Sequence, residues 1–436
     1  MAATQLTARP WFALALLFGV NLLNFFDRQL PGALGEPIRK EFGLSDTALG
    51  LLGTIFTLVY AAVGLPLGRL ADRWSRTRLI SAGVMLWSLL TAASGFAANY
   101  ATLFLSRLGV GVGEAVCAPA SQSLIGDLFP PRQRARAMAI FMLGLPLGLA
   151  CAYLLAGHLG EAMGWRATFG VACVPGLALG AIVLLVREPL RGATESAAPV
   201  TAATAQSWAA SIRALLGIPT LWWIIASGAL HNFNMYAVNV FQTPFLQRFH
   251  EMSLREANTV SAIALGAVGV IGLLAGGWLA DRLSVRRANG RLLVAAVAMA
   301  LAAPCVYLAL EQPRGETGRF VLLMSLGTAC MFVYYATVYA AIQDVVAPRL
   351  RGTAVALYFF AMYVLGASLG PLATGMLSDF FARRAMHAAG VMMSEQFRAA
   401  GLHEAMYVIP LLAVGAAFVL FAASRTVARD LWGQRQ

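Results

Sequence analysis

Gly68-Arg-Leu-Ala-Asp72-Arg73 and Gly277-Trp-Leu-Ala-Asp281-Arg282 stand 209 residues apart, and this repetition decides how the rest of the chain reads. A second pair supports it. Ile125-Gly-Asp127 with Pro131-Arg-Gln-Arg134 returns 217 residues later as Ile342-Gln-Asp344 with Pro348-Arg-Leu-Arg351. Two independent motif pairs at near-equal offsets mark an internal duplication.

Outward from each motif the sequence is apolar. Runs lie near 11–35, 48–71, 78–98, 100–126, 136–160 and 166–187, then 219–246, 258–281, 290–311, 319–344, 353–381 and 404–425. With 59% hydrophobic and 12% charged residues, the chain carries too much apolar surface for a water-soluble domain. Runs of this length cross a hydrocarbon layer of roughly 30 Å as helices, the form in which a single segment satisfies its own backbone in lipid. The expected fold is an all-α membrane protein of twelve transmembrane helices. Residues 1–187 form one six-helix bundle, 188–218 a linker rich in Ala, Thr, Ser and Pro, and 219–436 the second bundle. An even number of spans per half orients the halves alike, which implies a pseudo-twofold axis along the membrane normal and a site between them that opens to alternate sides. Gly-x-x-x-Gly pairs at Gly64/Gly68, Gly144/Gly148, Gly272/Gly276 and Gly366/Gly370 are expected to line the moving seam, with further pairs at Gly109/Gly113 and Gly176/Gly180.

The formal charge of +12 comes from arginines in short turns, so it reads as a positive-inside signal rather than a nucleic-acid surface. Both termini are then cytoplasmic and the first span is retained. Lys40 is the only lysine, a bias that points to a GC-rich bacterium and hence to its inner membrane. Cys117, Cys151, Cys173, Cys305 and Cys330 all fall within apolar runs and offer neither a disulfide framework nor a metal site. The chain lacks His-Glu-x-x-His, Gly-x-Ser-x-Gly and a phosphate loop. No enzyme, no cofactor and no metal are therefore expected. A channel or a receptor would share this plan; counterflow separates them from a transporter working as a monomer.

Ionisable groups inside spans cost about 2.5–3.5 kcal/mol and are functional candidates. Four stand out: Asp27, Arg28, Arg107 and Glu114. Asp27 lies 16 residues beyond Trp11, or about 24 Å along a helix, and Arg107 comes to a similar depth down the fourth span. We expect the two to pair, with Arg107 governing whether Asp27 holds a proton. Glu114, seven residues after Arg107, is a second candidate acid. Arg28 projects about 100° from Asp27 and suits a substrate anion or a separate helix.

The second half offers Asn232, Asn234, His231 and Tyr236 in its first span and Tyr334, Tyr335 and Tyr339 in its fourth. With Arg28 and Asn24 these are the expected substrate contacts, a wall of rings and amides suited to a small amphipathic ligand. The paired motifs supply a conformational latch: Asp72, Arg73, Arg76, Asp127 and Arg134, with Asp281, Arg282, Asp344 and Arg351. In it, Asp72 and Asp281 meet the positive amino-terminal ends of spans 11 and 5.

The loop from Gly68 to Arg78, with its copy from Gly277 to Arg287, resembles the signature of the major facilitator superfamily, although Ser75 and Ser284 stand where glycine is usual. Asn24-Phe-Phe-Asp27-Arg28, Arg107-Leu-Gly-Val-Gly-Val-Gly113-Glu114-Ala115 and Asp127-Leu-Phe-Pro-Pro-Arg-Gln-Arg134 resemble the Spinster family, with Phe25 in place of a usual tyrosine. That resemblance implies transport of lysophospholipids or sphingosine phosphates, with Asp27 and Glu114 in proton coupling and Arg107 shaping the site. The first segment also resembles proton-linked symporters of sugar acids and aromatic acids, the alternative cargo.

Overall fold

The computed structural model describes residues 10–190, 208–347 and 350–431, and every regular element among them is a helix. In chain order these are α1 (Pro10–Ala33), α2 (Gly35–Phe42), α3 (Asp46–Arg73), α4 (Arg76–Gly95), α5 (Tyr100–Glu114), α6 (Cys117–Leu128), α7 (Pro131–Met142), α8 (Gly144–Val183) and α9 (Trp208–Leu216). There follow α10 (Pro219–Phe249), α11 (Leu254–Ser261), α12 (Val268–Ser284), α13 (Gly290–Leu310), α14 (Thr317–Val345), α15 (Arg351–Ala361), α16 (Leu369–Ala389), α17 (Glu395–Met406) and α18 (Val408–Asp430). π-Helical turns at Ala262–Ala267 and Met362–Ala367 join α11 to α12 and α15 to α16.

Among the described residues, ten helical stretches are long and apolar enough to cross a membrane. One of them, Arg132–Val183, is 52 residues long, about 78 Å if continuous. Gly164, at φ 83° and ψ 161°, breaks it. The 31-residue α10 is not among the ten, because His231, Asn232, Asn234 and Gln242 dilute its apolar run. Most of the expected linker lies outside the described residues; its end, Trp208–Leu216, is helical.

Contacts divide the chain into two compact units. The first comprises Met1–Gly43, Ile55–Thr201 and Leu254–Ala262, the second Leu44–Thr54, Ala202–Ser253 and Ile263–Gln436. Thus α3 begins in the second unit and continues in the first, whereas α11 belongs to the first and α12 to the second.

In the first unit α1 and α4 pack on α8, and α4 also packs on α5. Val20, Ile80, Val84, Trp87, Val110, Ile125 and Phe141 fill its core. In the second, α13 packs on α14 and α18, and α10 on α16 and α18, over Leu221, Ile224, Phe241, Phe245, Val306 and Phe320. Leu89, Leu105, Val174, Ile271, Trp278, Leu322, Leu411 and Phe418 face outward, the inversion that a hydrocarbon solvent permits. Three of the four expected seam pairs, Gly144/Gly148, Gly272/Gly276 and Gly366/Gly370, pack closely against helices of their own unit, whereas a methyl group at Gly64 would meet nothing. A methyl group at Gly148 would collide with the Leu22 carbonyl oxygen of α1, and one at Gly370 with that of Phe233 on α10.

The start of α3 is held by side chains distant in sequence. Arg248, at the end of α10, donates to both carboxylate oxygens of Asp46 at 2.8 Å. Ser378 donates to the same carboxylate, while Asp379 accepts the Asp46 and Thr47 backbone N–H groups and the Thr47 hydroxyl. Asp379 thereby satisfies helix-end donors that the sequence around Asp46 leaves open.

Candidate functional site

In the first unit α1, α3, α4 and α5 bring together the four charges that the sequence placed inside spans. Glu114 ends α5, where the helix breaks before α6 begins at Cys117. The ion pair differs from the expected one. Arg28 Nε donates to Glu114 Oε2 at 2.9 Å, with side chains 4% and 0% exposed. Arg107 instead donates from Nη2 to the backbone carbonyl of Asp27 at 3.0 Å. Adjacent residues on a helix point about 100° apart, so Asp27 and Arg28 cannot share one partner, and Arg28 is the one that reaches Glu114. Arg28 also lies over the rings of Tyr60 at 4.3 Å, Phe25 at 5.0 Å and Phe56 at 5.4 Å. Such faces stabilise a guanidinium where water cannot reach it.

Burial is nearly complete, yet satisfaction is not. Asp27 Oδ1, Glu114 Oε1, Arg107 Nε and Nη1, and Asn24 Nδ2 have no hydrogen-bond partner. Each such group costs about 1–3 kcal/mol, more when charged. Arg28 thus sits at this centre, and Asn24 is buried one turn earlier on α1.

In the second unit His231 stacks on Tyr334 with centroids 4.0 Å apart and meets the edge of Tyr335 at 4.9 Å. Ser227, Tyr334 and Tyr358 form a hydroxyl chain with links of 2.9 and 3.1 Å. Tyr335 and Tyr339 continue to Phe359 and Tyr363, and Tyr236 meets Tyr363 edge-on at 6.3 Å. Asn232 donates to the Gly228 carbonyl and to Met362 Sδ. Asn234 departs from the group, since its amide donates to the Ile409 carbonyl of α18. Both ring nitrogens of His231 lack a partner and the side chain is fully buried. Sequence reading missed Ser227, Tyr358, Phe359 and Tyr363; the cluster Tyr358-Phe-Phe-Ala-Met-Tyr363 was the available signal.

The paired motifs make matching bonds within each unit. Arg134 donates to the Gly126 carbonyl at 2.8 Å and Arg351 to that of Gln343 at 3.1 Å, each reaching eight residues back to a helix end. Arg76 bonds Asp127, Glu188, Ser123 and the Pro189 carbonyl. Its counterpart is Arg291, absent from the expected set, which bonds Asp344 and reaches Asp281 at 3.5 Å. The partner of Asp281 is therefore this arginine at the start of α13. Arg282 lies over Trp278, and Arg73 is exposed. The side chain of Asp72 lies outside the described residues. Ser75 caps α4 by accepting from Arg78 N, and Ser284 donates to the Asp281 carbonyl, so serine closes both turns where the signature has glycine. Glu188, beyond the end of α8, is partly buried, which opposes its charge. Bonds from Ser75 and from the backbone and guanidinium of Arg76 outweigh this and hold its carboxyl below the usual range.

Among the described residues no group of three or more His, Cys, Asp or Glu could hold a metal ion.

Comparison with known proteins follows this geometry. The profile of the Major Facilitator Superfamily matches residues 17–371. An MFS-type efflux pump of Mycolicibacterium smegmatis is 35% identical over 372 residues, 85% of either chain. Protein spinster homolog 3 of Mus musculus is 31% identical over 85% of this chain and 75% of its own length. The crystal structure of a bacterial homologue of the human lysosomal transporter Spinster, inward-facing and unoccupied, superposes with a TM-score of 0.87 at 29% identity, covering 97% of this chain and 98% of that one.

Proposed function

We propose that this chain, which belongs to the Major Facilitator Superfamily and within it to the Spinster family, moves an amphipathic, lipid-like anionic or zwitterionic substrate by alternating access, coupled to protons through Asp27 and Glu114 with Arg107. It is an integral, multi-pass membrane transporter rather than an enzyme. The observation that carries the finer reading is the charged centre of the first unit. Two buried acids and two buried guanidinium groups share one side-chain ion pair and leave Asp27 Oδ1 and Glu114 Oε1 without partners. A purely structural lattice would satisfy them; a site that takes up and releases protons keeps acceptors open.

The ring and amide face of the second unit supports an amphipathic cargo, with Arg28, Asn24, His231, Asn232, Tyr236, Tyr334, Tyr335 and Tyr339 as contacts. The amide of Asn234 is engaged with α18, which leaves its free carbonyl oxygen as its contribution. In this reading the chain makes twelve passes, with Arg132–Val183 folded as two and α10 as one. Residues 1–187 and 219–436 are the two bundles, and both termini face the cytoplasm of a bacterial inner membrane. The Arg76, Asp127 and Arg134 set and its Arg291, Asp344, Asp281 and Arg351 counterpart stabilise one conformational state. The protein works as a monomer. Similarity to an efflux pump favours export as the direction.

Purified protein in liposomes tests this. Saturable counterflow of a lysophospholipid, accelerated by an inward proton gradient and not competed by a sugar acid, is the expected result. Counterflow of the sugar acid alone would replace the lipid reading with the organic-anion one, and the absence of any counterflow would reduce the protein to a receptor.

A further inference from the structure

Glu114 is not all that holds the Arg28 guanidinium. Tyr60, Phe25 and Phe56 present ring faces to it at 4.3, 5.0 and 5.4 Å, and Arg107 lies over the same Phe56 ring at 5.9 Å. One phenyl group therefore serves two cations. Phe56 and Tyr60, four residues apart on α3, stack at 6.2 Å with their planes 28° apart, so they form one aromatic wall.

The sequence of α5 explains how this wall reaches the charges. Arg107, Gly111 and Glu114 stand at i, i+4 and i+7 and share a helix face. Gly111, between the two charged residues, leaves a gap in that face, and α3 fills it. A methyl on Gly111 would come within 3.0 Å of the Phe56 carbonyl oxygen and 3.4 Å of its ring carbon Cδ2. Phe56 is thereby seated between Arg107 and Glu114 along α5, and it is buried. The partners divide around it: Arg28 takes the Glu114 carboxylate, and Arg107 takes the backbone carbonyl of Asp27. Phe25 is fixed by α8, where a methyl on Gly148 would come within 2.9 Å of its Cβ.

In the coupling reading Glu114 alternates between carboxylate and neutral acid. Its Oε1 has no hydrogen-bond partner and can take the proton, while Oε2 accepts from Arg28. The neutral acid no longer offsets the charge of Arg28, and a buried guanidinium without its counter-charge is costly. Ring faces still attract it, because their pull comes from the ring quadrupole and does not change when a neighbour is protonated. We propose that Phe56, with Tyr60 and Phe25, acts as a positioning residue that keeps Arg28 in place while Glu114 carries a proton, ready to meet the carboxylate when the proton leaves. The proposal rests on the coupling role given to Glu114 above.

A trifluorinated phenylalanine incorporated in place of Phe56 keeps the shape of the ring and removes the negative charge from its face. Thermal unfolding in detergent would be followed in three backgrounds: the wild type, Glu114→Gln as a mimic of the neutral acid, and Arg28→Met. Fluorination is expected to lower the unfolding temperature by about 2 °C in the wild type, by more in Glu114→Gln and by less than half as much in Arg28→Met. An equal fall in all three would overturn the proposal, since the ring would then only pack. Should Arg28→Met fail to fold, the wild type and Glu114→Gln decide between them. In liposomes the fluorinated protein should lose proton-driven uptake of a lysophospholipid by about threefold to tenfold and counterflow by less; equal losses would overturn the proposal. If the unfolding pattern holds in a protein whose unfluorinated form shows no proton-driven uptake, the hold on Arg28 stands and the coupling role falls.

Discussion

The charged centre of the first unit and the ring cluster of the second bury polarity in opposite ways. The first encloses full charges, Asp27, Arg28, Arg107 and Glu114, with one ion pair between side chains and several atoms left open. The ring cluster of the second encloses neutral groups, in which Ser227, Tyr334 and Tyr358 satisfy one another in a chain and His231 stacks on Tyr334, while Asp46 and Arg248, buried charges of that unit, are paired with each other at the start of α3. A neutral hydroxyl can be buried at little net cost once it has one partner, whereas a charge remains costly until its whole shell is filled. On the proposed reading, the unfilled shell of the charged centre serves proton exchange and the ring cluster holds an apolar body by contact.

The contrast can be broken first at Asp27. Asp27→Asn should abolish proton-driven accumulation while leaving counterflow, whereas His231→Phe should weaken substrate competition and leave proton coupling intact. Equal loss of coupling in both would erase the division of labour.

Stability offers the next test. Arg28→Ala should cost about 3–5 kcal/mol, since it leaves Glu114 as an unpaired buried acid, and Arg28→Met with Glu114→Gln should recover most of it. Thermal unfolding in detergent would report both; a single variant as stable as the wild type would contradict the buried pair.

The matching arginines sharpen the comparison further. The Arg76 side chain is 1% exposed and Arg291 24%. Arg76→Ala should therefore cost about 3–5 kcal/mol and Arg291→Ala about 1 kcal/mol. Reversal of that order would show that exposure does not set the difference.

In the ring cluster, Tyr358→Phe removes one link of the hydroxyl chain and should cost about 0.5–1.5 kcal/mol. The smallest effect concerns pH. Glu188 is held below its ordinary value, so its contribution is present above the unfolded pKa near 4.5 and disappears as pH falls through the lower folded value. Glu188→Gln should lower the unfolding temperature slightly at pH 7 and converge with the wild type in strong acid.

Much of this was readable beforehand, for physical reasons that differ by residue. Asp27, Arg107 and Glu114 were legible because charge inside an apolar run is conspicuous, whatever it contacts. Their pairing was not, because helix rotation decides whether Asp27 or Arg28 meets Glu114. Arg291 escaped notice because, unlike Arg76, it lies beyond the signature loop, whose second copy ends at Arg287, although it bonds both Asp344 and Asp281. Asn234 read like Asn232 in the sequence, and only the packing of α18 separates them.

By itself, then, the sequence determined the solvent, the helical class, the duplication and the buried charges, since hydropathy and motif spacing are properties of the chain alone. Tertiary structure decided which guanidinium meets which carboxylate, which tyrosines join into one chain, and that Asp379 caps a helix beginning 333 residues earlier. Those outcomes depend on helix rotation and on contacts between residues far apart along the chain, which no local pattern encodes.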